Sequence, residues 1–259
     1  MQYNPIADLS AYNNRMSQGL LDKLFFLDKI ETDSILDFGC ADGTLLKAIQ
    51  QWMPDIKLVG YDNDSRMIEL ASKNVPEAKF SSNFEEAYAA CKGKSTVVLS
   101  SILHEVYHYQ EPHEVDQFWK DIFYSERFQT IVIRDMIPSR MIDRKSDLND
   151  LARVYRYFSL SQYPEQLKDF ENIWGSIERN KNLMHFLLKY NYRKPNWDRE
   201  VRENYFPLYF EDLLSFIPFE YRILYTEHFV LPYIFRSVNR DMGVEIKDPT
   251  HLKLILEKR

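Results

Sequence analysis

Residues 35–46 read ILDFGCADGTLL: an apolar run, an acid at Asp37, small residues at Gly39, Ala41 and Gly43, then a tail with helical spacing. A strand that ends in a glycine-rich turn and feeds a helix offers backbone N–H groups to a ligand and lets it approach the main chain closely. A nucleotide-like guest suits such a turn. Its spacing narrows the choice, because a dinucleotide turn wants a third glycine where this chain has Leu46. No GxxxxGK[ST] loop occurs either, so neither a dinucleotide nor a cradled nucleoside triphosphate is indicated.

Working outward, strands and helices alternate. Residues 20–30 (LLDKLFFLDKI) carry apolar side chains at helical spacing, and 34–38 (SILDF) reads as a buried strand. A helix over 44–52 stops before Pro54, 57–61 (KLVGY) is a second strand, and 65–73 is a helix with Asp64 or Ser65 as N-cap. A short strand at 78–80, a helix at 84–90, a strong strand at 95–102, a helix at 115–124 and a strand at 129–136 follow. This order predicts an α/β, doubly wound, mostly parallel sheet with ligand sites at the carboxyl ends of its strands.

The motifs together resemble those of the class I S-adenosylmethionine-dependent methyltransferases, whose fold is Rossmann-like. DFGCADG at 37–43 is similar to that family's first motif, with Ala41 in place of the middle glycine. Asp62 in VGYDNDS stands where the family places its ribose-binding acid, and a carboxylate suits two vicinal hydroxyls because it accepts from both. SSILHEVYHY after the fourth strand and IVIRDMIPS at the fifth look like the later motifs. YRILYTEHF and THLKLILEK look like strands six and seven, the last of seven inserted antiparallel.

The resemblance implies S-adenosyl-L-methionine as cofactor. It implies Asp37 at the methionine amino group, Gly39, Ala41 and Gly43 in the turn, Asp62 at the ribose, Asn63 beside the adenine, and Ser100 at the end of strand four. Ser82 or Asn83 would meet the adenine edge, where the family's usual Asp is missing. Arg15, with Tyr12 and Met16, belongs to an N-terminal segment that in relatives folds over the cofactor, so Arg15 meets the methionine carboxylate or is a plain exposed charge. Asp62 as a simple turn or cap residue is the competing reading.

His104, just past strand four beside Glu105, stands where the transferred methyl points. Methyl transfer needs the nucleophile aligned and, where required, its proton removed, which a histidine does near neutral pH. A structural histidine is the alternative. Arg134 and Asp135 after strand five form either a plain ion pair or a substrate contact, Arg134 holding an acidic group. His108 and His113 read as surface residues.

Between strand five and the last helix, residues 137–207 interrupt the alternation with helical patterns, read as an insertion that chooses the substrate. The expected organisation is an N-terminal helical segment at 1–33, a cofactor-binding half at 34–136, the insertion at 137–207, and the rest of the core at 208–259. The net charge is −6, yet residues 134–202 hold 14 basic against 10 acidic side chains. Arg153 and Arg156, interleaved with Tyr155 and Tyr157, suit phosphate contacts and base stacking, and RNA is then the acceptor. The other reading makes these aromatics the insertion's own core and the acceptor a small molecule in an enclosed pocket. A cofactor-binding accessory protein without turnover is a third reading, which the intact Asp37, Gly39, Gly43 and Asp62 disfavour.

No apolar run spans a membrane, no secretory signal is seen, and Cys40 and Cys91 lack zinc spacing. A cytoplasmic protein with reduced cysteines and no metal is expected. The loop after strand four lacks the [DNS]PP[YFW] motif of amino-methylating DNA enzymes and the Pro-Cys of C5-cytosine enzymes, leaving oxygen or nitrogen as the accepting atom.

Overall fold

The computed structural model describes residues 19–259, so the expectations for Tyr12, Arg15 and Met16 lie outside the described residues. Seven strands form one sheet: β1 (Ser34–Phe38), β2 (Lys57–Tyr61), β3 (Lys79–Ser81), β4 (Ser95–Ser100), β5 (Phe128–Asp135), β6 (Tyr221–Phe229) and β7 (His251–Lys258). Their order is β3-β2-β1-β4-β5-β7-β6. β1 pairs in parallel with β2 and β4, β2 with β3, and β4 with β5. Strand order reverses between β1 and β4, and in open α/β sheets a crevice opens there at the carboxyl ends. The far end of the sheet is antiparallel: the Arg259 N–H donates to Glu220 O at one end of the β6–β7 pair, and the Thr250 N–H to Phe229 O at the other.

All six residues of β4 are buried, the uniform burial of a parallel strand covered on both faces. The covering helices include α2 (Thr44–Trp52), α3 (Ser65–Asn74) and α4 (Phe84–Ala90). Asp64 caps α3 through its side chain, which accepts from Arg66 N, so of the two cap candidates Asp64 holds the position. The expected helix over 20–30 is shorter: α1 covers only Leu20–Lys23, and turns follow to Lys29. The expected long fourth strand ends at Ser100, because Ser101 takes a left-handed conformation (φ +59°) and α5 (Leu103–Tyr109) starts at once. The next helix, α6 (Pro112–Phe123), begins three residues before the expected position, since Pro112 occupies its first turn and Glu111 with Glu114 closes a capping box.

The chain divides into two compact units. One takes residues 19–135, 216–227 and 253–259, with Phe26, Ile35, Leu46, Ile49, Val98, Val132 and Ile255 in its core. The other takes 136–215 and 228–252. It contains α7 (Leu148–Leu160), α8 (Glu165–Trp174), α9 (Asn180–Lys189), α10 (Trp197–Glu200), nearly all of α11 (Phe210–Phe216), and α12 (Pro232–Met242). Phe170, Phe186, Tyr190, Trp197 and Phe206 are almost fully buried there, so most of this segment's aromatics do form its own core. The sequence reading did not foresee α12. Its Ile234, Val238 and Met242, spaced at one helical face, join that same core, so the helical unit draws on chain beyond the expected boundary at 207. No helix among the described residues is long and apolar enough to cross a membrane.

Candidate active site

The turn after β1 is built by backbone conformation and packing together. Gly39 (φ +78°) and Gly43 (φ +77°) both take the left-handed region, and Ala41 joins them at φ +45°. A Cβ on Gly39 would lie 2.7 Å from Ile102 Cδ1, and one on Gly43 3.2 Å from Ala71 Cβ. These glycines therefore serve protein packing as well as the turn: the space a side chain would fill is taken by the β4–α5 loop and by α3. The loop is pinned to β2, the N–H groups of Gly39 and Cys40 both donating to Tyr61 O at 2.8 and 2.9 Å.

Asp62 ends β2 with its carboxylate held from two sides. Oδ2 accepts from Ala41 N at 2.9 Å and Oδ1 from Asp64 N at 2.9 Å, leaving further acceptor capacity on each oxygen. Burial lifts its carboxyl above the usual range, while the N–H groups of Asp64 and Ala41 pull it back. Asn63 next to it is exposed. Asn83 is committed elsewhere: its side chain caps α4, accepting from Glu86 N at 3.2 Å, because an Asn one residue before a helix is a strong N-cap. The cap engages the Oδ1 of Asn83.

Asp37 is 3 % exposed at the end of β1, and burial pushes its carboxyl up to about 7, with the Lys23 ammonium opposing that rise and Asp62 adding to it. Lys23 is itself buried, its pKa lowered to about 8, by burial first and then by Arg134. Sequence reasoning missed Lys23. The signal was a lysine inside the apolar run LLDKLFF.

Past β4, the left-handed Ser101 turns the chain into α5, its N–H donating to Arg134 O at 2.8 Å. Asp135, wholly buried at the end of β5, accepts from Leu103 N through Oδ2 (2.7 Å) and meets His104 Nδ1 through Oδ1 (2.8 Å). With a carboxylate as acceptor, Nδ1 carries the proton and the histidine ring is fixed in one tautomer and one orientation. Asp135 is thus a partner of His104. Glu105 is half-buried in the first turn of α5.

Arg134 forms an ion pair, with Asp22 as a partner the sequence did not indicate. Its Nε and Nη2 donate to Asp22 Oδ2 at 2.9 and 2.8 Å, and Nη1 donates to Ser101 Oγ at 2.8 Å. Asp22 in turn holds Lys253 Nζ at 2.7 Å from its other oxygen. Arg134 therefore ties α1 and the β4–α5 loop to β5, and no acidic substrate is needed to account for its charge. Arg153 and Arg156 lie in the helical unit and are exposed. His113 is exposed as expected, whereas His108 is half-buried with its ring against Tyr109.

The side chains at the carboxyl ends of β1, β2 and β4 fit S-adenosyl-L-methionine. Asp37 is a buried carboxylate suited to an ammonium, Asp62 is a pre-oriented acceptor for hydroxyls, and Ser100 Oγ is a buried hydroxyl without a hydrogen-bond partner among the described residues.

Comparison with known proteins agrees. Residues 35–125 match the family described as Methyltransferase domain. No curated protein matches the chain in sequence. Among solved structures, the plantazolicin methyltransferase BamL, in complex with a triazolic desmethylPZN analog and SAH, aligns with a TM-score of 0.54 at 14% identity, covering 96% of this chain and 88% of that one. The methyltransferase domain of bacterial CtHen1-C aligns at 0.52 and 11% identity, covering 94% and 98%. PKMT2 from Rickettsia typhi aligns at 0.51 and 14%, covering 100% of this chain and 55% of its own. At these identities the likeness to solved structures is one of fold. The family match over the glycine turn, the strand order and the set of acids at the strand ends agree: residues 35–125 match a methyltransferase domain, and the sheet around them has the Rossmann-like methyltransferase fold.

Proposed function

We propose that the protein transfers a methyl group to an oxygen or nitrogen of RNA, with His104 as general base. The observation that carries the reading is the 2.8 Å contact between His104 Nδ1 and the buried Asp135 carboxylate, beside the strand ends that suit the cofactor. Asp37, Asp62 and Ser100 hold the cofactor, which when bound supplies a methyl group already activated on a sulfonium sulfur. A hydroxyl or amine nucleophile loses its proton as it attacks. His104 takes that proton at Nε2, and Asp135 stabilises the resulting imidazolium through Nδ1–H, the division of labour of a base and its orienting acid.

RNA is favoured over a small acceptor by charge distribution. The chain is acidic overall, yet residues 134–202 are net basic, and Arg153 and Arg156 lie exposed there. The two cysteines are buried and unpaired, as suits a reducing compartment such as the cytoplasm. A specific observation also supports a small or peptidic acceptor: one structural neighbour was solved with a desmethylPZN analog. Incubation with radiolabelled S-adenosylmethionine and a cell extract separated into RNA, DNA, protein and small-molecule pools decides between them. Label in RNA is the expected result. Label only in the protein or small-molecule pool overturns the RNA acceptor and leaves methyl transfer standing.

A further inference from the structure

The helical unit contains a cavity of about 640 Å³ whose walls come from α7, the α7–α8 turn, the segment after α9 and the end of α12. On α7 the buried face is Leu151, Val154 and Phe158. Arg153, Arg156 and Tyr157 leave the helix on the neighbouring face and line the cavity together. Tyr155, which the sequence pattern grouped with them, does not line it and donates to Glu171 Oε1 at 3.0 Å.

The charge in this cavity is unbalanced. Three arginines line it against one carboxylate, Asp241, and that carboxylate is already engaged by Tyr190 Oη (2.9 Å) and Arg240 Nε (2.7 Å). Arg153 is partly compensated, donating to Gly243 O at 2.8 Å and lying 3.5 Å from Asp150. The Arg156 carbonyl accepts from Ser159 Oγ at 2.8 Å, but no hydrogen bond or ion pair engages its guanidinium among the described residues. Arg193 is anchored: its Nη1 donates to Tyr190 O at 2.7 Å, and its guanidinium centre lies over the Tyr163 ring, 4.3 Å from the ring centre. A guanidinium stacked on a tyrosine makes a planar platform with positive charge beside it.

Phosphate and a flat ring are the two features such a lining selects for at once. Guanidinium groups bind phosphate oxygens, while stacked Arg–Tyr surfaces accept a nucleobase face without regard to sequence. A carboxylate-bearing peptide satisfies the arginines but leaves the platform unused. We propose that this cavity binds a phosphorylated nucleoside, either free or as one unit of a single-stranded RNA, with Arg156 and Arg153 at the phosphate and the Arg193–Tyr163 pair at the base. Only the RNA source rests on the function proposed above; the nucleotide site stands apart from it.

The test is fluorescence anisotropy or calorimetry on the full chain with adenosine 5′-monophosphate, a short single-stranded oligoribonucleotide and an oligoglutamate peptide. SAH affinity serves as the control for folding. The expected result is binding of a nucleotide probe and not of the peptide, weakened about tenfold or more by Arg156→Glu and several-fold by Tyr163→Ala, with SAH affinity unchanged. Equal binding of both nucleotide probes identifies a free nucleotide as sufficient; binding of the oligoribonucleotide alone identifies the strand. No nucleotide binding by a wild-type protein that binds SAH overturns the proposal. So does nucleotide binding that both variants retain, or a preference for the peptide. Should RNA take up label undiminished in Arg156→Glu, the cavity does not hold the acceptor strand, and the RNA acceptor stands. Nucleotide binding here with label outside RNA gives the reverse.

Discussion

At the scale of single residues, Asp37 and His104 carry the sharpest consequences. The Asp37 carboxyl, pushed up to about 7 by burial, is half protonated near neutral pH, and its charged form is what an ammonium needs. Cofactor binding should therefore release a proton, and affinity should rise with pH through that range. At one unit below the folded pKa the affinity is expected to be about tenfold weaker than its alkaline plateau. Titrations of SAH between pH 6 and 8 check this, and Asp37→Asn should flatten the dependence. The same raised pKa acts on folding with a fixed sign: the stabilisation from proton binding is full below the unfolded value of 3.8 and lost as pH rises through about 7. For His104, replacement by Ala should lower the methylation rate by about a hundredfold or more while leaving SAH affinity nearly unchanged. Asp135→Asn should shift the pH–rate profile as well as the rate, because it alters the imidazolium's partner. Undiminished turnover in His104→Ala would return that residue to a structural role.

At the scale of elements, much was legible from pattern and the rest was hidden by contacts distant in sequence. The buried strands β1, β2, β4 and β5 announced themselves as short apolar runs between turn residues, and the cap at Asp64 by its residue type. α5 did not. In SSILHEVYHY the strand pattern runs on into Ile102, and only Ser101's left-handed backbone and the Asp135 carboxylate at Leu103 N end one element and start the next. The acids at the ends of β1 and β2, Asp37 and Asp62, could be picked out from their spacing around the glycine turn. The partners of His104 and Arg134 were not, since Asp135 and Asp22 lie 31 and 112 residues from them. The turn after β1 offers a test at this scale. Gly39→Ala should cost about 2 kcal/mol, from a left-handed backbone and contact with Ile102 together. Gly243→Ala shares the left-handed φ (+70°) with nothing within 4 Å, so its cost should be visibly smaller. Equal falls in Tm for the two variants would mean that packing against Ile102 contributes nothing.

At the scale of the whole molecule, the sheet order with an antiparallel far end gives the methyltransferase fold, and the interrupted alternation after β5 already pointed to an added helical part. Its full extent was not visible in the sequence, because α12 follows β6 with a helical period no different from that of an ordinary core helix, and only packing assigns Ile234, Val238 and Met242 to the helical unit. The acidic chain with a basic middle is a division that an average charge conceals, and it motivates the nucleic-acid reading. All of this presupposes one property of the protein as a whole: that its strand ends bind S-adenosylmethionine and its product. Calorimetric titration of the intact protein with SAH, beside Asp62→Ala, measures that property directly. The expected outcome is affinity of micromolar order, about −8 kcal/mol, reduced by about 2 kcal/mol in the variant as charge-assisted hydrogen bonds to the ribose are lost. Binding of NADH with no binding of SAH, or an Asp62→Ala variant that binds SAH as tightly as the wild type, would contradict the account.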